Sequence, residues 1–392
     1  MKCTGIDVST GEAVEISFNR TILACEPVLA PLPDALLLAP GFVDLQVNGF
    51  AGVDYNQAGT SHEEIARSIR ALFTTGVTRF YPTVITGPPE AMLAALQNLA
   101  RAKETLPEGE VIEGFHVEGP HISPEDGPRG AHPRQWVRPP DLDEFRRWQE
   151  AACGCVRIVT LAPEWPGAAS YIEALVARGV VVSLGHTQAS GAQIDDAVRA
   201  GATMCTHLGN GAHPVLRRHP NYIWDQLAED RLAASFIVDG IHLPASFLKV
   251  ALRAKGIERS ILVTDAATPA GAVPGRYKLG ELDVELTEDQ RVVLAGTDRL
   301  AGSALRMDRG VENLMRLAGL PLRDAIAMAA RNPARIGRIA NRQRGLSPGE
   351  RADIVQFAFD PVEGSVAVRK TWISGRLVWE ESAGPQGPLP AG

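Results

Sequence analysis

A chain of 392 residues is longer than one average domain and suits one large domain with a smaller companion. Hydrophobic residues at 45% and charged residues at 22% make an ordinary globular mixture, rich enough for a sizeable core without disulfide or metal staples. The formal net charge of -7 offers no bulk basic face and so argues against a nucleic-acid binder, while leaving room for a local basic pocket around an anionic substrate.

Up to about Leu38 the chain reads as short strands, with turns at Ser9-Thr10-Gly11 and at Pro31-Leu32-Pro33-Asp34. Met1 to Phe18 alternates in polarity and has no apolar signal core. From Pro40 short apolar runs alternate with amphipathic stretches that end in glycine, the pattern of βα units around a parallel sheet. Ser61 is placed to cap a helix that carries Ile65, Ile69, Leu72 and Phe73. Glu63 and Glu64 suit its positive end, and Gly76 its left-handed stop. The same grammar recurs over Tyr171 to Arg178 with Gly179, and over Ile194 to Ala200 with Gly201.

Eight strands are expected. They span 42–46, 77–81, 111–117 and 157–161, then 180–184, 202–206, 234–238 and 261–264. Eight is the count of a closed barrel with helices outside. The runner-up, a doubly wound open sheet, would carry a Gly-rich dinucleotide turn after its first strand, and Gly41-Phe-Val-Asp is not one. Tyr277 to Gly296 reads as an inserted hairpin around Thr287-Glu-Asp-Gln, and helical patterns run from Met307 to about Ile339. Strand-like alternation returns over Gly345 to Glu380. Both termini are therefore expected to pair into a small β domain, 1–39 plus 345–382, beside a barrel over 40–344, with a disordered Pro/Gly-rich tail at 383–392.

The five cysteines, Cys3, Cys25, Cys153, Cys155 and Cys205, are odd in number and fit no zinc-ribbon or redox spacing. They read as free thiols in a reducing compartment. With no apolar run of membrane-spanning length, the expected location is the cytoplasm.

Chemistry-bearing residues gather where the apolar strands end. Gln46 and Asn48 follow the first strand, Glu118 ends the third, and His186 and His207 follow the fifth and sixth. Asp239 and His242 follow the seventh, and Asp265 ends the eighth. Barrel enzymes build their sites from these C-terminal strand ends. Glu118 could be an exposed loop carboxylate, but a charge directly after a buried strand must be paired or ligated. His186 and His207, each taken alone, are as readily satisfied core histidines as ligands. Together with Glu118 they make a Glu/His/His set with an open position, as catalytic zinc sites have. Asp265 reads either as a helix cap or as a general base, then acid, beside a metal-activated water. His116 shares a strand face with Glu118 and suits a supporting place better than a ligand position. His213 and His219 read as loop residues, His213 as a solvated one.

The motifs Pro40-Gly-Phe-Val-Asp-Leu-Gln-Val-Asn-Gly, His116-Val-Glu-Gly-Pro-His-Ile-Ser-Pro, Gly130-Ala-His-Pro and Leu184-Gly-His-Thr are joined by Thr206-His-Leu, Asp239-Gly-Ile-His, Val263-Thr-Asp-Ala and Ala301-Gly-Ser. Gly345-Leu-Ser-Pro-Gly-Glu-Arg-Ala-Asp-Ile-Val adds a tail element. In this combination, over nearly the whole chain, the sequence resembles the N-acetylglucosamine-6-phosphate deacetylases of the amidohydrolase superfamily.

The resemblance implies an α/β fold, a distorted (β/α)8 TIM barrel with a small β-sandwich formed by both termini. It implies one divalent metal on Glu118, His186 and His207. Many superfamily members carry His-x-His after the first strand and bind two metals. Gln46 and Asn48 stand at those positions here, so a single ion is expected, zinc first, with iron or another divalent ion also suited. By resemblance Asp265 takes a proton from the attacking hydroxide's water and returns it to the amine, and His132 contacts the substrate near its carbonyl. The products would be glucosamine 6-phosphate and acetate. Ala131, Asn210, Gly211, Arg218, His242, Gly302 and Ser303 match substrate-contacting positions. Some such groups come from a neighbouring subunit in the family, which implies a homodimer. The plain alternative for Arg217-Arg218-His219 is solvated loop charge.

The chain departs from the family pattern at Gly209-Asn-Gly-Ala-His-Pro, where an aromatic and then Asn-Ala-Met are usual, and at His219-Pro-Asn-Tyr-Ile-Trp. These changes touch the substrate loop and not the metal set. Two alternatives follow: an amidohydrolase acting on a different N-acyl sugar or amide, or a non-catalytic scaffold of the same fold.

Overall fold

Strands this apolar cannot leave a face in water, so they pair side by side and are covered by the amphipathic helices between them. The computed structural model describes residues 1–28 and 36–381. Eight parallel strands form one sheet whose order in space is the order in the chain. They are Phe42–Val47, Val77–Ile85, Phe115–Glu118, Val156–Leu161, Val181–Leu184, Met204–Cys205, Ala233–Ile237 and Ser260–Val263. A helix follows each, from His62–Phe73 after the first to Met307–Asn313 after the eighth.

The edge strands meet where Val47 bridges Ala266, and Asn48 N–H donates to the Ala266 carbonyl at 2.7 Å. Nearby the seam is held by a side chain. Thr264 donates its N–H and its hydroxyl to the Asp44 carboxylate, at 3.2 and 2.5 Å. Burial pushes the Asp44 carboxyl up to about 7, with the Thr264 hydrogen bonds acting against it. Val43, Leu45, Tyr81, Ile158, Val181, Met204, Ile237 and Val263 belong to a buried apolar cluster to which seven of the eight strands contribute.

Local chemistry explains where element boundaries differ from expectation. The second strand runs on past its expected end at Tyr81 to Ile85, through Pro82, which lacks a ladder donor. The register against the first strand slips between Asp44 and Val47, and Val47 N–H turns to Thr83 Oγ1 at 3.1 Å. The third strand starts at Phe115 because Pro107 opens a 3-10 turn over Pro107–Val111. Helix His62–Phe73 carries a capping box between Ser61 and Glu64. Gly76, at φ +82, also leaves room for Phe42, which a Cβ would meet at 2.8 Å. The expected inserted hairpin is a sheet of three strands, Gly275–Leu279, Leu282–Leu286 and Val292–Leu294. A second turn forms at Gly280-Glu281, and Gly280 N–H donates to Asp54 Oδ2 at 2.7 Å.

The termini pair as expected and form one continuous seven-stranded sheet. Its spatial order is Arg376–Glu380, Ser365–Ile373, Ile354–Asp360, Leu37–Pro40, Lys2–Asp7, Ala13–Phe18 and Ile22–Pro27. Val14, Ile16, Phe18, Leu38, Ile354 and Trp372 belong to a buried cluster of its own. Where it meets the barrel, Asp353 is fully buried among Arg79, Arg342 and Arg351, with Nε atoms 3.2, 3.5 and 2.8 Å from its oxygens. The expected turn at Pro31 to Asp34, the small domain's end at Ser382 and the tail at 383–392 lie outside the described residues. All five cysteines are unpaired. Among the described residues no helix is long and apolar enough to cross a membrane.

Candidate active site at the barrel mouth

Glu118 is the last residue of the third strand, and Gly119 after it, at φ +76, turns the chain away. His186, His207 and Asp265 each stand two residues beyond a strand end, at φ +51, +28 and +49. A left-handed conformation costs a non-glycine residue about 1–2 kcal/mol, and such residues cluster at functional sites. Here the turns bring three strand ends over one opening.

His186 Nε2 and His207 Nε2 lie 3.2 and 2.9 Å from Glu118 Oε1, and 3.1 Å from each other. His186 Nδ1 donates to the Pro128 carbonyl at 2.8 Å, so its Nε2 presents a lone pair toward the carboxylate oxygen. A lone pair facing an anion at this distance is repelled unless a cation sits between them. These three donors therefore fit one metal ion, with coordination left open on the cavity side.

Burial opposes ionisation of Glu118, yet the His186 and His207 rings beside it hold its carboxyl well below the usual range. Gln46 Nε2 donates to Glu118 Oε1 at 2.9 Å and to Asp265 Oδ1 at 3.0 Å, and Asn48 Nδ2 donates to the same Asp265 oxygen at 2.7 Å. The two amides thus give neutral N–H donors to two carboxylates. Burial, with the Glu118 charge beside it, pushes the Asp265 carboxyl up to about 6.

His132 is buried, with Nδ1 2.8 Å from Thr86 Oγ1 and Nε2 4.0 Å from Glu118 Oε2. Burial, and then the neighbouring His186, lower it to about 3, so it is neutral. His242 donates Nδ1–H to Asp239 Oδ2 at 2.6 Å, which leaves Nε2 for the cavity. His116 lies deeper, 3.1 Å from the Leu45 carbonyl through Nδ1 and 2.7 Å from Thr160 Oγ1 through Nε2. Thr160, Thr206 and Ser183 continue this chain at 2.6 Å per link, a hydroxyl belt across the fourth, fifth and sixth strands.

These groups open onto a cavity of about 550 Å³ that Ala131, Asn210, Gly211, His242 and Gly302 also line. Two expected contact residues stand elsewhere. Ser303 is buried behind Asp265, donating its hydroxyl to the Thr264 carbonyl at 2.5 Å and its N–H to the Asp265 carbonyl at 2.9 Å. Arg218 is exposed on the loop beyond the cavity lining, where its carbonyl accepts from Asn221 Nδ2 at 3.3 Å. His219 is exposed as well. His213, read as solvated, is half-buried with Nδ1 3.0 Å from the Tyr222 hydroxyl. Thr86 escaped the sequence reading because the second strand was ended at Tyr81. The strand-end rule applied at Ile85 finds it.

Gly211, at φ +55, packs directly on His186, and a Cβ there would meet Nδ1 at 2.6 Å. Gly211→Ala is expected to cost at least about 1–2 kcal/mol from the backbone alone. It should also push His186 out of register with Glu118. Metal content after dialysis, read beside the thermal midpoint, checks both effects.

The Amidohydrolase family matches residues 37–378. The chain is 38% identical over 361 residues to the N-acetylglucosamine-6-phosphate deacetylase of Bos taurus, covering 89% of this chain and 85% of that protein. It is 33% identical over 358 residues to the Bacillus subtilis (strain 168) enzyme of the same name, covering 91% and 89%. Among solved structures, N-acetyl-D-glucosamine-6-phosphate deacetylase from Mycobacterium smegmatis superposes with a TM-score of 0.87 at 32% identity, covering 97% of this chain and 100% of that one. A mutant of the M. smegmatis enzyme in complex with N-acetyl-D-glucosamine-6-phosphate superposes with a TM-score of 0.83 at 33% identity, covering 93% and 94%. With the fold, the strand-end site and these likenesses in agreement, the chain belongs to the amidohydrolase family, among its N-acetylglucosamine-6-phosphate deacetylases.

Proposed function

We propose that this chain hydrolyses the acetamide of N-acetylglucosamine 6-phosphate to glucosamine 6-phosphate and acetate, with one divalent metal, zinc first, on Glu118, His186 and His207. The observation that carries this reading is the convergence of those three donors beside a buried Asp265 at the mouth of the barrel. When bound, the metal supplies a Lewis acid for the acetamide carbonyl and brings the ionisation of water toward neutral pH.

The chain's own groups do the rest. Gln46 and Asn48 fix Asp265 through one oxygen, which leaves the other to accept the proton of the attacking water and hand it to the departing amine nitrogen. The C–O bond forms as Asp265 takes the proton, and the C–N bond breaks as Asp265 returns it to the amine nitrogen. His132, held through Nδ1 by Thr86 Oγ1 at 2.8 Å, offers Nε2 to the acetamide oxygen. Asn210, the Gly211 backbone and His242 offer polar contacts to the sugar phosphate.

The remaining cation comes from a second copy. In the proposed homodimer the loop around Arg218 reaches the neighbouring cavity, which is supported by its exposure and by Val215, 86% exposed, beside it. The division into a small unit, 1–39 plus 345–382, and a catalytic unit, 40–344, is part of the same reading. The separate buried cluster of the terminal sheet supports it.

Acetate release from N-acetylglucosamine 6-phosphate, compared with N-acetylglucosamine, tests the reaction. A strong preference for the phosphorylated sugar is expected. Arg218→Ala should cut kcat/KM for it by about 10–100-fold, the worth of one charge-assisted hydrogen bond. Activity on the plain sugar alone, with metal bound, would point to another amide. His207→Ala should lose the metal, read by elemental analysis as a fall from about one equivalent per chain to none.

A further inference from the structure

The cavity has two chemical halves. Glu118, His186, His207, Asn210 and His242 make one side polar. The other side is formed by Ile85, Ala131, Leu279, Leu282, Leu300 and Ala301. Three of these apolar residues are attached to the reacting groups. Ile85 is the register partner of Glu118 on the adjacent strand. Ala131 precedes His132 in the chain. Ala301 stands two residues before Ser303, which is bonded to the Asp265 backbone. The inserted three-stranded sheet supplies Leu279 and Leu282, and both pack with Ile85, Ala131 and Ala301 in one apolar cluster. Leu300 bridges back to Val293 on the same insert.

The insert is pinned in place. Gly280 N–H reaches Asp54 at 2.7 Å, and Trp136 Nε1–H reaches Glu281 at 2.7 Å. An amino-sugar phosphate carries one wholly apolar substituent, the alkyl end of its N-acyl group, and that group is bonded to the carbon under attack. Asn210 and His242 offer side-chain donors to hydroxyls and phosphate on the polar side.

We propose that Ile85, Leu279, Leu282 and Leu300 form an acyl subsite, and that Leu282 at the turn of the insert sets the length of acyl chain the enzyme accepts. This rests on the deacylation reading above. The test uses the metal-replete full chain and measures amine release from N-acetyl-, N-propionyl- and N-butyryl-glucosamine 6-phosphate.

The wild type is expected to favour acetyl. Leu282→Ala should raise the butyryl-to-acetyl ratio of kcat/KM by about ten-fold or more, and Leu282→Trp should lower the propionyl-to-acetyl ratio by a similar factor. Leu300→Ala, at a second point on the wall, should shift the ratio in the same direction as Leu282→Ala. The preference for the phosphorylated over the plain sugar should stay as in the wild type in all three. Acyl ratios that stay within about two-fold of wild type in all three variants would overturn the subsite while leaving the deacetylase reading intact. So would a shift in phosphate preference in place of acyl preference. A wild type that releases no amine from any of the three substrates overturns both.

Discussion

Asp265→Asn is expected to lower kcat for amide hydrolysis by about 10²–10⁴-fold, the usual worth of a positioned general acid-base, with little change in KM or metal content. The substitution is informative because the surroundings dictate how asparagine must sit. Gln46 and Asn48 both donate to Asp265 Oδ1, so the amide oxygen takes that place and the NH2 group faces the cavity. Geometry is kept while the proton acceptor becomes a donor. A fall in metal content alongside kcat would assign Asp265 to the metal set instead. Steady-state kinetics with elemental analysis on the same preparation separates the two.

Asp353→Ala is expected to lower the unfolding free energy by about 3–5 kcal/mol, the cost of stripping one partner from a buried ion cluster. Arg342 and Arg79 have only 1% and 4% of their side chains exposed and would keep their charges with no carboxylate between them. Burial already lowers the Arg342 pKa from its ordinary value, with Asp353 acting against that. Asp353→Asn should cost less, because an amide oxygen still accepts from the Ser374 N–H that now donates to Asp353 Oδ1 at 2.8 Å. Urea unfolding followed by circular dichroism and by activity measures both. Coincident loss of the two signals would show that the terminal sheet and the barrel unfold as one unit.

The site was legible because a barrel strand ending in a polar residue leaves a recognisable mark: an apolar run, then Glu118, His186, His207 or Asp265. Six of the eight strands carry such a residue at or just past their end. What stayed hidden depends on contacts between distant segments. Pro82 stops a strand by local rules, and only the slipped register against Val47 shows why it does not here. Gly280-Glu281 signals a turn too weakly to split the insert in advance, so the apolar wall it carries was out of reach. Ser303 and Arg218 were named by motif, but one is bonded to the backbone behind Asp265 and the other is exposed on a loop outside its own cavity's lining. No pattern along the chain encodes those directions.

The left-handed backbone at His186, His207 and Asp265 has a consequence for engineering. Glycine relaxes there at no steric cost, so a library selected for heat resistance in chelated medium should collect glycine at these three positions and lose activity as it gains stability. With metal in the medium the outcome should invert at positions 186 and 207. Ion binding to the native state then returns more free energy than the turns consume, and the histidines become the stabilising choice. Which residues survive such a selection would be decided by the composition of the broth as much as by the temperature.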